Sequence, residues 1–236
     1  MNNSTVKFFS SKVFSKTKII HGFFTRNGGK SKKPFDSLNC SLSSGDDNLN
    51  VIENINVAKQ KLKLKHTETK FLTQIHGIHV ELIDNRNLNE ETVSDGSITQ
   101  KKNISLAVLT ADCAPVFFYD PILKIIGVAH IGWKGCLKNI CKSVIESMKN
   151  IGSKNTNIEA IIGPCINFRN YEVGRDLYLK FSKKNKEYKK FFIKKANHKY
   201  LFNLSSTIEY QLKKLGIPRI ILCDEDTYSN SRKYFS

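Results

Sequence analysis

Three short segments each contain one side chain that commonly binds a metal: His76, Cys113 and His130. They read Thr-Gln-Ile-His-Gly, Thr-Ala-Asp-Cys-Ala-Pro and Val-Ala-His-Ile-Gly-Trp-Lys-Gly. We predict that each ligand follows an apolar, strand-like run, because side chains at strand ends can converge on a shared site. Two imidazoles and one thiolate suit zinc, and three protein ligands leave a fourth position open, as catalytic zinc sites do.

Taken singly, each of these residues has a plainer interpretation. A lone cysteine after an apolar run is most often a small buried hydrophobe, and a lone histidine beside a glycine most often lies in a surface turn. The spacing matches neither a zinc finger nor a Cys-x-x-Cys site. A shared site is favoured by the turn-forming residues around the three ligands, which are Gly77, Pro115, Gly132 and Gly135.

Residue chemistry leaves two enzyme types open. In the first, the three side chains hold a catalytic zinc ion. In the second, a metal-free hydrolase or deamidase uses Cys113 as nucleophile and His130 as its base. A copper oxidase is disfavoured, because six histidines without any His-x-His pair cannot supply imidazole-rich copper clusters.

The elements that must position these residues follow from hydrophobic periodicity and turn signals. We predict an α+β fold with mixed β-sheets, because hairpin-like strands are interspersed with helices. The predicted strands are 18–24, 70–75, 79–83, 104–110, 115–119, 124–130, 158–162 and 219–222. The predicted helices are 50–64, 135–148, 174–183 and 204–215, and residues 84–98 are predicted to form a loop.

The composition indicates one catalytic domain over residues 1–236, since 236 residues with 40% hydrophobic content can bury a sizeable core. No segment is long and apolar enough to span a bilayer, and the first residues lack the apolar core of a signal peptide. Six cysteines are spread without regular spacing. These features predict a cytoplasmic protein with free thiols.

The formal net charge of +17 invites a nucleic-acid interpretation. The positive residues are almost all lysines scattered along the chain, and enrichment in Lys, Asn and Ile is typical of an AT-rich genome. We therefore predict no nucleic-acid partner. The positive field would still attract phosphate or another anionic substrate.

Several blocks along nearly the whole chain resemble the YfiH-like family, whose members carry a polyphenol oxidase or laccase-domain label. The blocks are His21-Gly-Phe-Phe-Thr-Arg26-x-Gly-Gly29, Ser37-Leu-Asn39, Gly45-Asp-Asp47, Gln74-x-His76-Gly, Asp95-Gly96, Ala111-Asp-Cys113-x-Pro, His130-x-Gly-Trp-x-Gly135, Ile162-Gly-Pro164 and Tyr171-Glu-Val-Gly174. The resemblance implies a layered α/β/β/α fold with helices packed outside mixed sheets. It also implies a zinc-dependent purine nucleoside phosphorylase with adenosine deaminase activity, whose zinc ligands are His76, Cys113 and His130. The implied partners are a purine nucleoside and phosphate.

The chain departs from the family pattern at three places. Lys134 replaces the usual arginine and loses the planar fork that grips an oxyanion bidentately. Cys40-Ser41 replaces Leu-Gly, and the C-terminal Phe-Phe-Ser-Tyr-Arg-Arg is present only as Tyr234-Phe-Ser236, which is consistent with truncation at that end. Arg26 and Lys134 are nevertheless cationic residues in glycine-flanked blocks, and we predict that they bind phosphate.

Overall fold

The computed structural model describes residues 5–11 and 19–236 of the chain. Within that part, thirteen strands and five helices are formed. The strands are β1 (Phe8–Phe9), β2 (Phe23–Phe24), β3 (Glu68–Lys70), β4 (Val80–Leu82), β5 (Gly96–Thr99), β6 (Ile104–Leu106), β7 (Ala114–Asp120), β8 (Ile125–Ile131), β9 (Glu159–Ile162), β10 (Glu172–Gly174), β11 (Phe192–Lys194), β12 (Lys199–Phe202) and β13 (Arg219–Leu222). The helices are α1 (Asn48–Lys61), α2 (Trp133–Lys138), α3 (Ile140–Asn150), α4 (Arg175–Lys184) and α5 (Leu204–Lys214).

Six strands form the central sheet in the order β13-β9-β7-β8-β5-β4. The two outer pairs are parallel, and the three inner pairs are antiparallel. A three-stranded antiparallel sheet has the order β10-β12-β11, and two further pairs join β1 to β2 and β3 to β6. The predicted α+β class with mixed sheet pairing is therefore confirmed.

The main core lies between the central sheet and the helices. Helix α3 packs against β8, β5 and β4, and it buries one apolar face that includes Val144, Ile145 and Met148. The apolar residues of β7 and β8 are buried on both faces of the sheet, which is why these strands read as nearly continuous apolar runs.

The hairpin of β7 and β8 was predicted at almost its observed position. Asp120 closes its turn, because the Oδ1 atom accepts hydrogen bonds from the backbone N–H groups of Ile122 and Leu123 at 2.8 and 3.0 Å. The two strands then pair in register from Asp120 opposite Ile125 to Ala114 opposite Ile131. The open end of this hairpin therefore brings residues 113–115 next to residues 130–131.

Three predicted elements were wrong in detail. The helix predicted over 135–148 is two helices, since Asn139 has a left-handed backbone conformation (φ 67°) that ends α2 and caps α3. The loop predicted over 84–98 contains the start of β5, a strand that periodicity cannot reveal because all four of its residues are buried. The strand predicted over 70–75 stops at Lys70.

The strand predicted over 104–110 also ends early, at Leu106. The remaining helix and strand boundaries agree within a few residues, and Arg219–Leu222 matches the prediction at both ends. Of the strand predicted over 18–24, only Phe23–Phe24 forms a strand, β2; residues 19–22 are not in a strand, and residue 18 lies outside the described residues. No helix among the described residues is long and apolar enough to cross a membrane.

Candidate metal centre

The three predicted ligands lie together at one end of the central sheet. Cys113 immediately precedes β7, His130 is the penultimate residue of β8, and His76 lies on the loop between β3 and β4. Their ligand atoms all lie within 4.8 Å of one another. The predicted convergence of the three side chains is therefore observed, although only His130 lies at the end of a strand.

The three side chains face a common point. The Sγ atom of Cys113 is 3.9 Å from Nε2 of His76, and the rings of His76 and His130 meet edge to face with centroids 4.7 Å apart. His130 is buried, Cys113 is half-buried and His76 is exposed. The site therefore opens towards solvent on the side of His76.

Two contacts hold the loop that carries His76. The side-chain amide of Gln74 donates to the carbonyl of Leu109 and accepts from its N–H group, both at 2.8 Å. This bidentate bond ties the His76 loop to the segment that leads into Cys113. His76 itself has a left-handed backbone conformation (φ 59°), which costs a residue other than glycine roughly 1–2 kcal/mol.

Asp95 connects the two histidines, and sequence reasoning did not select it as a site residue. Its carboxylate accepts a hydrogen bond from Nδ1 of His130 at 2.8 Å and further bonds from backbone amides of the His76 loop. The Asp95–Gly96 pair within the family resemblance was the signal that could have found it. A carboxylate on Nδ1 leaves Nε2 of His130 free to bind a metal.

Gly132 provides the space between the ligands. A Cβ atom at this position would lie 2.9 Å from Sγ of Cys113 and 3.0 Å from Cδ2 of His76. Both distances are shorter than ordinary van der Waals contact. A side chain here would therefore occupy the space into which the ligands point.

Burial and local charges shift the ionisation of the site residues. Burial raises the pKa of the Cys113 thiol to about 11, with further contributions from Asp112 and Asp95. Burial also lowers the pKa of His130, although its bond to Asp95 opposes that shift. Burial alone would raise the pKa of Asp95, but its bonds from His130 and the amides of Gly77 and Ile75 hold it below the ordinary value. His130 is therefore neutral near pH 7, as a metal ligand must be.

Asp112, which precedes Cys113, is held by hydroxyl groups. Its two carboxylate oxygens accept from Thr227 Oγ1 at 2.6 Å and from Ser236 Oγ at 2.9 Å. Its backbone is left-handed (φ 72°), and its carbonyl accepts from the N–H group of Ile166. Asp112 therefore fixes the turn into Cys113, whereas Asp95 is the carboxylate bonded to His130.

Arg26, a predicted phosphate ligand, bonds to two loops. Its guanidinium donates to the carbonyl of Asp36 at 2.7 Å, to Oδ1 of Asp36 at 3.4 Å and to the carbonyl of Ser231 at 3.0 Å. It also stacks on the ring of Phe235, with the guanidinium carbon 4.5 Å from the ring centroid. Three of its five N–H groups therefore donate hydrogen bonds within the protein.

Lys134, the other predicted phosphate ligand, lies in the first turn of α2, directly after Gly132 and Trp133. The Lys134 side chain is exposed, and its ammonium lies 5.7 Å from the centroid of the Trp133 ring. The ammonium of Lys180 lies 5.4 Å from the same ring centroid. Two lysine ammonium groups therefore lie next to the Trp133 ring.

A family model described as multi-copper polyphenol oxidoreductase laccase matches residues 20–236. The chain belongs to this family. The multi-copper laccase label describes the family, and the one cluster that could hold a metal among the described residues consists of two histidines and a cysteine. The laccase-family membership confirms the resemblance predicted from the motif blocks.

Curated relatives carry a different name from the laccase-type family model. The chain is 41% identical over 172 residues to a purine nucleoside phosphorylase of Rickettsia conorii, an alignment that covers 72% of this chain and 70% of that protein. It is 36% identical over 164 residues to the purine nucleoside phosphorylase YlmD of Bacillus subtilis, covering 66% of this chain and 59% of that protein.

Solved structures support the fold of this laccase-family chain. The hypothetical protein YfiH of Bacillus licheniformis superposes with a TM-score of 0.84 at 29% identity, covering 91% of this chain and 85% of that chain. A Neisseria meningitidis protein gives a TM-score of 0.84 at 27% identity, covering 91% and 86%. The YfiH-like fold expected from the sequence is thus shown by structural likeness as well as by motifs.

Proposed function

We propose that this chain is a zinc-dependent purine nucleoside phosphorylase that also deaminates adenosine. The convergence of the His76, Cys113 and His130 ligand atoms within 4.8 Å of one another carries the metal part of the proposal. The names of the curated relatives support the nucleoside and phosphate substrates.

The residues present fit zinc. Two imidazole nitrogens and one thiolate are a borderline-soft donor set, and the Asp95 bond leaves Nε2 of His130 available. The absence of a side chain at Gly132 keeps the centre of the site clear. When bound, zinc would act as a Lewis acid in the open site.

The chain's own residues bind and orient the reactants. Phosphorolysis forms a bond between a phosphate oxygen and C1′ of the ribose while the C1′–N9 bond breaks and the purine leaves with a proton. Deamination replaces the C6 amine by the oxygen of water and releases ammonia. Substrate would enter on the exposed side of the site, at His76, because Cys113 and His130 close the other sides.

Phosphate recognition is assigned to Arg26 and Lys134. Each cation can donate charge-assisted hydrogen bonds to a dianion. Lys134 is the cleaner test, because Arg26 also bonds to Asp36 and Ser231 and its loss would disturb both loops. We expect Lys134→Ala to raise the phosphate KM more than the nucleoside KM, and Lys134→Arg to lower the phosphate KM because the guanidinium grips bidentately.

Lys138→Ala is the matched control, because Lys138 is an exposed lysine one turn further along the same helix. The assignment of Lys134 is wrong if Lys134→Ala and Lys138→Ala leave the same phosphate dependence. In that case the metal centre could still be present.

The function is tested by assaying the purified protein with adenosine and inosine, with and without phosphate, while its zinc content is measured. A phosphorylase releases the purine base and ribose 1-phosphate only when phosphate is present. A deaminase converts adenosine to inosine in both conditions. Base release that does not depend on phosphate would contradict the phosphorylase assignment.

The metal-free Cys-His hydrolase is the alternative. The Asp95–His130 bond resembles the orienting pair of a catalytic triad. The geometry of the site opposes this alternative, because the contact of the Cys113 sulfur is with His76 rather than with the proposed base His130. Burial also raises the pKa of the Cys113 thiol to about 11, which disfavours the thiolate nucleophile near neutral pH. Full activity after chelation, lost on thiol alkylation, would favour this alternative.

A further inference from the structure

The carboxylate of Asp95 is hydrogen-bonded to both ligand histidines. Its Oδ1 atom accepts from Nδ1 of His130 at 2.8 Å and from the backbone N–H group of His76 at 2.9 Å. Its Oδ2 atom accepts from the backbone N–H groups of Ile75 and Gly77 at 3.1 and 2.6 Å. Asp95 is fully buried, so the protein alone supplies these four bonds.

Three consecutive backbone N–H groups converge on this carboxylate, which is the arrangement of an anion-binding nest. The nest requires the left-handed conformation of the middle residue, His76. Charge-assisted hydrogen bonds are about twice as strong as neutral ones, so they can offset the roughly 1–2 kcal/mol cost of that conformation. The same conformation presents the His76 side chain next to Cys113.

We propose that Asp95 is the positioning residue of the metal centre and sets the geometry of two ligands at once. It fixes the tautomer and ring orientation of His130 through Oδ1, and it fixes the backbone that presents His76 through both oxygens. Another strand also anchors this arrangement, because the carbonyl of Asp95 accepts from the N–H group of His130 at 2.7 Å. The inference rests on the metal part of the proposed function.

The role requires a group that only accepts hydrogen bonds. Each oxygen of Asp95 accepts from two N–H donors. In Asp95→Asn, an NH₂ group would replace one of these oxygens and would face two N–H groups to which it cannot hydrogen-bond. If the nitrogen faced His130, the imidazole could accept at Nδ1 only by moving its proton to Nε2, which would remove its metal-binding lone pair. Asp95→Asn therefore keeps the shape of the side chain and removes its function.

The test is a titration of metal-free protein with Co²⁺, which reports ligand type and geometry through its absorption. The wild type is expected to show thiolate charge transfer and the visible bands of a tetrahedral centre. Changes to an outer partner of one ligand typically cost 10–100-fold in metal affinity, and Asp95 contacts two ligands. We expect Asp95→Asn to lose tenfold or more in Co²⁺ affinity and to shift the visible bands.

Asp84→Asn is the matched control, because the Asp84 carboxylate pairs with Arg86 near the surface and contacts none of the three ligands among its described bonds. Its Co²⁺ affinity should stay within about twofold of the wild type. An affinity loss smaller than tenfold in Asp95→Asn, with a normal wild type, overturns the role of Asp95 alone. A wild type without a thiolate–Co²⁺ band overturns the metal centre as well.

Gly77→Ala covers the case in which Asp95→Asn does not fold. Its methyl group would lie 3.3 Å from Oδ2 of Asp95, a crowded distance, and every charge is unchanged. Displacing the carboxylate in this way should lower the Co²⁺ affinity at least threefold while the far-ultraviolet circular dichroism stays that of the wild type. An affinity within threefold of the wild type would overturn the proposal.

Discussion

At the scale of single residues, the candidate metal centre consists of three side chains of graded exposure. His130 is buried against Asp95, Cys113 is half-buried, and His76 faces solvent. The buried members can be held rigidly by the core, whereas the exposed member depends on its loop. Asp95 contacts both His130 and the His76 loop, and Gly132 lies beside both Cys113 and His76, so each residue links the exposed member to a more buried one.

Cys113→Ala should abolish metal binding and activity with little loss of fold. The thiolate contributes metal affinity, while truncating one half-buried side chain at an open site costs the core little, about 1 kcal/mol. Metal content, turnover and thermal melting of the metal-free protein would be compared with the wild type. Full activity in this variant would contradict both the zinc and the thiol mechanism.

Gly132→Ala should block the site without unfolding the protein. The backbone of Gly132 (φ −86°) is one that alanine adopts easily, so the added methyl group acts only through its contacts with Cys113 and His76. We expect a loss of metal affinity of tenfold or more with a melting temperature within a few degrees. Gly216→Ala is the control: its methyl would meet no atom within 4 Å, although φ is +77°. Equal metal affinity in both variants would contradict the prediction, because it would show that a methyl group at position 132 does not crowd Cys113 and His76.

At the scale of secondary-structure elements, the site depends on the ends of three neighbouring strands. The β7–β8 hairpin brings Cys113 beside His130, and β5 pairs with β8 so that Asp95 lies beside both. The loop that carries His76 lies outside the central sheet. It is held to the other two side chains chiefly by the hydrogen bonds of Gln74 and Asp95. The loop is therefore the part of the site that a single polar substitution can displace.

Gln74→Glu should loosen that loop. The carboxylate can no longer donate to the carbonyl of Leu109, and it places a negative charge against that carbonyl. We expect about 1–3 kcal/mol less stability and weaker metal binding. Gln100→Glu is the control, because Gln100 donates to the carbonyl of Leu123 in the same way but on the surface. Urea unfolding and Co²⁺ titration of both variants check the prediction, which fails if Gln74→Glu behaves like Gln100→Glu.

At the scale of the whole molecule, the charge and the cysteines have separate roles. The net charge of +17 comes mostly from lysines, and several exposed lysines form ion pairs such as Lys142–Glu146 and Lys195–Glu172. Such pairs contribute little to stability. All six thiols are free, and four of them are buried in the core. The exposed ion pairs therefore bear little on stability, whereas the buried thiols bear on it directly.

The metal-free protein should lose stability as the pH rises above about 9. Burial raises the pKa of Cys141 and of Cys165 to about 12, above the value of about 8.5 in an unfolded chain. Because the folded pKa is the higher one, the stabilisation is complete below the unfolded pKa and is lost as the pH rises towards the folded pKa. Each thiol should lower the free energy of unfolding by up to about 1.4 kcal/mol per pH unit in that window.

Urea unfolding of the reduced protein at pH 8, 9 and 10 measures this slope. Replacing both cysteines by alanine should make this slope shallower, although the variant is less stable at every pH because of the cavities left behind. A slope that is the same in the wild type and the double variant would show that the two thiols do not cause it.

The sequence alone was enough to indicate the candidate metal cluster and the overall class. Residue types and flanking turn residues indicated His76, Cys113 and His130, and the motif blocks indicated the family, because metal chemistry restricts which side chains can serve. The β7–β8 hairpin was also predictable, since apolar runs on either side of Asp120-Pro121 form it locally.

Only the tertiary structure decided how the site is supported. Asp95 is 35 residues from His130 and 19 from His76, so its role depends on the β5–β8 pairing and on a nest of amides that no periodicity reveals. The same holds for Arg26, whose hydrogen bond to the carbonyl of Ser231 joins residues 205 positions apart. Local patterns report which face of an element is apolar, whereas contacts between distant segments depend on how the elements pack.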